Sequence, residues 1–195
     1  MMSALYLKGL KQGDSQMTVS GLVIAGLFFF LSMAKPLQKI SETKPPSSIF
    51  ATSVIVSILG QFMIHFASLF AVSWICAQYV SDDDFSLSPD GKFQPNVVNS
   101  AMFLLALLMQ INNFVVNYRG HPFTQAIEDN KTLYRSIQVL YFVLIVVAGG
   151  QLEPLNDALQ MAPFPAPEFQ AYLVGILVFN FGASCLIERF SQRFD

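Results

Sequence analysis

Residues 49–80 read IFATSVIVSILGQFMIHFASLFAVSWICAQYV, an unbroken block without a single Asp, Glu, Lys or Arg. A helix needs about 20 mostly apolar residues to cross the hydrocarbon of a bilayer. This block is long enough to cross at a tilt or to continue past the hydrocarbon. The chain as a whole has 195 residues, 53% hydrophobic and 12% charged, about half the roughly 25% charge of a soluble domain. So few charges cannot cover a water-facing surface. The fold class that follows is all-α, a polytopic helical membrane bundle.

Four further spans are expected around that block, at 17–33, 97–118, 133–148 and 169–187. The first holds Leu27-Phe28-Phe29-Phe30-Leu31 and no charge. The span at 97–118 is closed by His121-Pro122, because the residue before proline is driven out of helical geometry. The span at 133–148 is the weakest, with Arg135 near its start and Gly149-Gly150 at its end. The segment 151–168 carries Pro154, Pro163, Pro165 and Pro167 and reads as irregular, while 81–96 is polar, with Asp82-Asp83-Asp84. Residues 1–12 are too short for a span. Lys8 and Lys11 also follow their apolar run rather than preceding it, the reverse of a signal peptide. They read as the end of a truncated membrane helix and an outer loop, ahead of a five-helix domain at 13–195.

Orientation follows from the Lys and Arg content of the short loops. Lys35, Lys39 and Lys44 follow the first span, Arg119 and Lys131 the third, and Arg189 and Arg193 the fifth, whereas the loop after the fourth span has no Lys or Arg. These odd-numbered loops are expected in the cytosol, and with them the C-terminus. Asn130-Lys131-Thr132 is a glycosylation sequon that this topology leaves bare, and it serves as a check on the assignment.

Polar residues inside spans are the first place to look for function. Ser57, Gln61, His65 and Ser68 fall at spacings that share one helical face. Gln110, Asn113 and Asn117 form a second stripe, with Asn112 to one side. Both can be read as a polar cavity or as interhelical hydrogen bonding, which is typically worth about 1 kcal/mol or less per contact, and the structural reading is preferred. Gly21 with Ala25 and Ala171 with Gly175 are small pairs that would let helices approach closely. Cys76 and Cys185 sit in apolar blocks and read as small buried hydrophobes. No acidic residue falls within an expected span, which argues against a divalent-cation pathway, since that needs hard oxygen ligands. The sequence offers no phosphate-binding glycine loop, nucleophile with its base, zinc cluster or basic tract for nucleic acid. The chain by itself is expected to hold no catalytic residue, metal or cofactor.

One resemblance runs through the first two thirds of the chain. Tyr6-Leu7-Lys8-Gly9, Gly13-Asp14, Ser20-Gly21, Ser32-Met33-Ala34-Lys35-Pro36-Leu37, Pro45, Ile49-Phe50 and Gly60-Gln61-Phe62 with His65-Phe66 are its early parts. Val98-Asn99-Ser100, Met109-Gln110, the run from Phe114 to Phe123 through Asn117-Tyr118-Arg119-Gly120-His121-Pro122, and Glu128-Asp129-Asn130-Lys131 are its strongest. Together they resemble the C-terminal membrane region of the type V P-type ATPases, A subclass, whose older label is cation-transporting ATPase. The resemblance implies an endoplasmic-reticulum enzyme that uses ATP and magnesium to extract mistargeted or misoriented transmembrane helices. This chain would then supply support helices and part of the substrate groove. Gln16, Thr18 and Ser20 become candidate groove residues, and the partners become the bilayer, the rest of the parent ATPase and client helices. The family's Asp-Lys-Thr-Gly motif, nucleotide domain and actuator domain are not in these 195 residues. A stand-alone, non-enzymatic membrane scaffold and part of a cation-transporting ATPase are the alternatives.

Overall fold

The computed structural model describes residues 11–39, 48–79 and 93–194. The expected helix end at 1–10, most of the acidic loop 81–96, and Lys44 and Lys92 lie outside the described residues. Among the described residues five long apolar helices form the bundle: α1 (Asp14–Ser32), α2 (Thr52–Tyr79), α3 (Val97–Asn117), α4 (Lys131–Ala148) and α6 (Pro167–Ser191), with a short α5 (Glu153–Ala158) before the last. A 3₁₀ turn, Gln192–Phe194, follows α6. All five are long and apolar enough to cross a membrane, and α2, at 28 residues, is about 42 Å long. That exceeds a hydrocarbon layer of about 30 Å and requires tilt or projection.

Local chemistry fixes the helix starts. The Asn96 side chain accepts from the Val98 amide at 2.7 Å and caps α3, and Asn130 accepts from Leu133 N at 3.3 Å to cap α4. Both are the side-chain-to-backbone bonds that open a helix. Segment 151–168 was expected to be irregular, yet it contains α5. Pro154 lies in the first turn of that helix, where the missing N–H costs nothing.

The helices alternate in direction, and their contacts define two ends. At one end, Asn99 Nδ2 donates to the Lys11 carbonyl, and Ala162 N donates to Ser100 Oγ. At the other, the loop after α1 pairs with the loop after α3. Gln125 N donates to Lys35 O and Leu37 N to Phe123 O, on either side of an isolated bridge between Pro36 and Thr124. Gly120 makes this second loop tight, because a Cβ there would lie 2.0 Å from the Gln125 carbonyl oxygen.

Helix α3 is the axle. Its residues are buried almost continuously from Val98 to Leu108, then at Ile111, Asn112 and Val116. Phe103, Leu104 and Leu108 share the core with Leu133 and Ile137 of α4, Leu173 and Leu177 of α6, and Val72 and Ile75 of α2. A helix apolar on all sides is one that neighbours surround. Helices α2 and α6 form the longest seam. The buried residues of α6, from Phe169 through Leu173, Leu177, Asn180, Ser184 and Glu188 to Ser191, repeat every three or four positions, as one helical face must. Their counterparts on α2 include Ser53, Ser57, Gln61 and Ser68, and the small serines among them allow close approach in a membrane.

One expectation is corrected here. The small pairs Gly21/Ala25 and Ala171/Gly175 are exposed, and the close approach is at Gly60, where a Cβ would meet Ile187 Cγ1 at 2.2 Å. The sequon's Asn130 is buried, with its Nδ2 donating to Phe30 O at 2.8 Å while its Oδ1 caps α4, so a glycan there would not fit this packing. Of the two cysteines, Cys76 is buried and Cys185 half-buried.

Candidate functional site

The polar side chains gather in three places. At the N-terminal end of α1, Gln16 is fully buried, and its Oε1 accepts from Gly13 N at 3.3 Å, leaving Nε2 buried without a hydrogen-bond partner among the described residues. Ser20 is half-buried and lies one turn further along the same face. Thr18 is exposed, turned to the opposite side of the helix, and donates to the Asp14 carbonyl at 2.8 Å. Of the three candidates, the structure thus brings Gln16 and Ser20 together and sets Thr18 apart.

Midway along the bundle, one polar node joins four helices. Asn180 of α6 donates through Nδ2 to Ser68 Oγ at 2.8 Å and lies 3.2 Å from His65 Nδ1. Its Oδ1 accepts from Asn112 Nδ2 of α3 at 2.8 Å. The Asn112 Oδ1 in turn accepts from the Tyr141 hydroxyl of α4, whose ring packs on Phe181 with centroids 4.4 Å apart. In lipid each of these polar atoms requires a partner, and each helix supplies one to another.

At the far end, Glu188 of α6 binds α2 and the end of α3. Its Oε2 accepts from Ser57 Oγ at 2.5 Å and from Gln61 Nε2 at 3.5 Å, and Gln61 also donates to Ser57. The Oε1 pairs with Arg119 at 3.3 Å and accepts from Gln192 Nε2. Glu188 was placed beyond the last span, at 187. The helix continues to Ser191 and carries the carboxylate inside on its buried face. The reason is physical: a helix does not stop at its first charge when that charge finds donors in Ser57, Gln61, Arg119, Ser191 and Gln192.

The stripe at Ser57, Gln61, His65 and Ser68 therefore faces α6. The second stripe is oriented otherwise. Asn113 and Asn117 are exposed, bonded to each other at 3.4 Å. They line a groove of about 520 Å³ between α1 and α3, which Phe28 and Phe114 close edge to face at 4.8 Å. Gln110 is half-buried, and its Oε1 has no hydrogen-bond partner among the described residues. The residue that ties α3 to its neighbours is Asn112. Asn112, Tyr141, Asn180, Arg119 and Glu188 were not singled out from sequence as bonded partners. The signal for Asn180 and Glu188 was their register with Leu173, Leu177 and Ser184.

Amides, hydroxyls, one imidazole and one paired carboxylate can bind and orient a polar group; most are committed to a neighbouring helix, while Gln16 Nε2 and Gln110 Oε1 are buried without a partner among the described residues. No cluster of three or more His, Cys, Asp or Glu occurs among the described residues.

No family model matches the chain. It is 34% identical over 193 residues to an endoplasmic reticulum transmembrane helix translocase of Schizosaccharomyces pombe, a match covering 99% of this chain and 16% of that protein. A second such translocase, of Aspergillus fumigatus, is 34% identical over 195 residues, covering 96% of this chain and 14% of the relative. A probable manganese-transporting ATPase of Arabidopsis thaliana is 34% identical over 165 residues, 85% of this chain and 14% of the relative. The chain thus spans 14–16% of the length of the curated relatives it matches, and the matching part of the translocases is C-terminal.

Proposed function

The chain is homologous to the C-terminal membrane region of the A-subclass type V P-type ATPases, and from that premise we propose that it serves an ATP-driven translocase of the endoplasmic-reticulum membrane. In this reading the parent extracts mistargeted or misoriented transmembrane helices. Residues 13–195 form its five-helix support domain and part of the client groove. ATP and magnesium act in the parent, outside this chain. The observation that carries the reading is homology over nearly the whole chain to proteins named as helix translocases.

Geometry supports two finer points. Seven of the eight described Lys and Arg residues (Lys35, Lys39, Arg119, Lys131, Arg135, Arg189 and Arg193) lie at the end of the bundle where α1, α3 and α6 finish. Asp14, Glu153, Asp157 and Glu168 gather at the other. Basic ends stay in the cytosol, so the C-terminus is cytosolic and Gln16 lies in the outer half of the membrane. There, Gln16 Nε2 is buried with no hydrogen-bond partner among the described residues, a donor that the hydrophilic end of a client helix would reach once the surrounding side chains part. Gln16 and Ser20 would face that pocket and Thr18 its rim.

A cation-transporting parent is the second reading, favoured by the name of the Arabidopsis relative. Against it, the buried carboxylate of Glu188 is already held by Ser57, Gln61, Arg119 and Gln192, and a metal would have to displace a guanidinium. The deciding experiment replaces the matching segment of the fission-yeast translocase with this chain and follows a mistargeted reporter helix in the endoplasmic reticulum. Restored, ATP-dependent removal of the reporter is expected. A chimera that inserts and hydrolyses ATP yet leaves the reporter in place overturns the reading, and turnover stimulated by manganese without extraction moves the function to ion transport. Complete activity in the parent lacking this segment would leave the chain a free-standing scaffold.

A further inference from the structure

A second groove, of about 390 Å³, runs between α1 and α4. Leu22, Val23, Gly26 and Leu27 form one wall, Val139 and Leu140 the other, and Arg135 stands at its mouth. We propose that it holds one acyl chain of an anionic glycerophospholipid, with the phosphate on Arg135.

The shape suits the occupant. Leu22 and Phe30 are separated by about 12 Å along α1, so the groove runs with the helix axis, the direction in which an acyl chain lies. Its walls are apolar and open to the bilayer, with Leu22 and Val139 exposed. Gly26 deepens it, since nothing lies within 4 Å of where its Cβ would be.

Charge selects the headgroup. Arg135 is exposed and makes no ion pair or hydrogen bond among the described residues. It sits one turn, about 6 Å, inside the start of α4, with Lys131 a turn nearer the helix end on the same face. That depth lets a long cationic side chain rise to the phosphate level. This is the end of the bundle that gathers the basic residues, and basic pockets between membrane helices recognise anionic lipid headgroups. The clasp from Asn130 to the Phe30 carbonyl holds α1 and α4 together at the mouth.

The test is native mass spectrometry of the full chain in detergent with dioleoylphosphatidylserine or dioleoylphosphatidylcholine added. Phosphatidylserine should be retained in preference, R135Q should cut its retention about tenfold, as for a lost charge-assisted hydrogen bond, and R135K should recover most of it. G26L fills the groove and should remove both lipids, while R193Q should change neither. Retention of phosphatidylserine unchanged in R135Q or G26L overturns the proposal, as does displacement by inorganic phosphate alone. Should the variants fail to fold, the wild-type chain answers with phosphatidylserine bearing a diazirine on its acyl chain. Labelling concentrated on peptides containing Gly26 and Val139 supports the site, and labelling spread evenly over the exposed face of α2 overturns it.

Discussion

Along α1 only Gln16 and Leu27 are buried, whereas the seam between α2 and α6 buries a stripe on each helix and bonds them at two levels. The residues are about equally apolar in both places. In water this would mean similar burial, because apolar surface drives association. In a bilayer lipid is as apolar as leucine, and helices are held by close packing and polar bonds. The seam has both: the serine-lined approach at Gly60, and Glu188 and Asn180 reaching across. Helix α1 depends on a few core contacts, the Asn130 clasp and the paired loops at its end.

That contrast can be broken at the seam first. Glu188→Leu would strand the buried Ser57 and Gln61, and leaving buried donors unsatisfied costs about 1–3 kcal/mol, with little added by the part-exposed Arg119. Unfolding of the purified chain in detergent, followed by circular dichroism, should show a loss of that size, and a change under about 1 kcal/mol would mean that the seam does not depend on the carboxylate. Gly60→Val forces Ile187 aside and should cost about 2 kcal/mol, while Gly21→Val on α1, with nothing near its Cβ, should stay within about 0.5 kcal/mol. Equal losses at the two glycines would erase the distinction. The smallest effect is expected where two asparagines border α1. Replacing Asn113 and Asn117 together with Leu should change stability by no more than about 0.5 kcal/mol, against about 1 kcal/mol for Asn180→Leu, in the same unfolding measurement.

The helices were legible because the hydrocarbon thickness sets a length and the sequence meets it five times. The face of α2 was legible too, since Ser57, Gln61, His65 and Ser68 repeat at helical spacing and polar groups avoid lipid. The face of α3 was not. Gln110, Asn113 and Asn117 make the visible stripe, but α3 is buried on nearly every side, so a lone Asn112 could meet Asn180 and Tyr141 without any pattern announcing it. Hydropathy also ended the last span at Ile187, one residue before Glu188. A charge marks the edge of a span only when nothing inside can pair with it, and the partners here lie 69 residues away at Arg119 and 131 residues away at Ser57. The same distance hides the small-residue contact, because Gly60 is defined by Ile187 and not by its neighbours in sequence.

The bond from Asn130 to the carbonyl of Phe30 spans 100 residues. A ribosome adding roughly 5–20 residues per second needs about 5–20 s to make that stretch. Through that interval the newly inserted α1 has satisfied its own backbone but has not met the asparagine that will clasp its end. The clasp therefore forms only after α2 and α3 have been made, and the α2–α6 seam, whose Ser57–Glu188 bond spans 131 residues, closes later still.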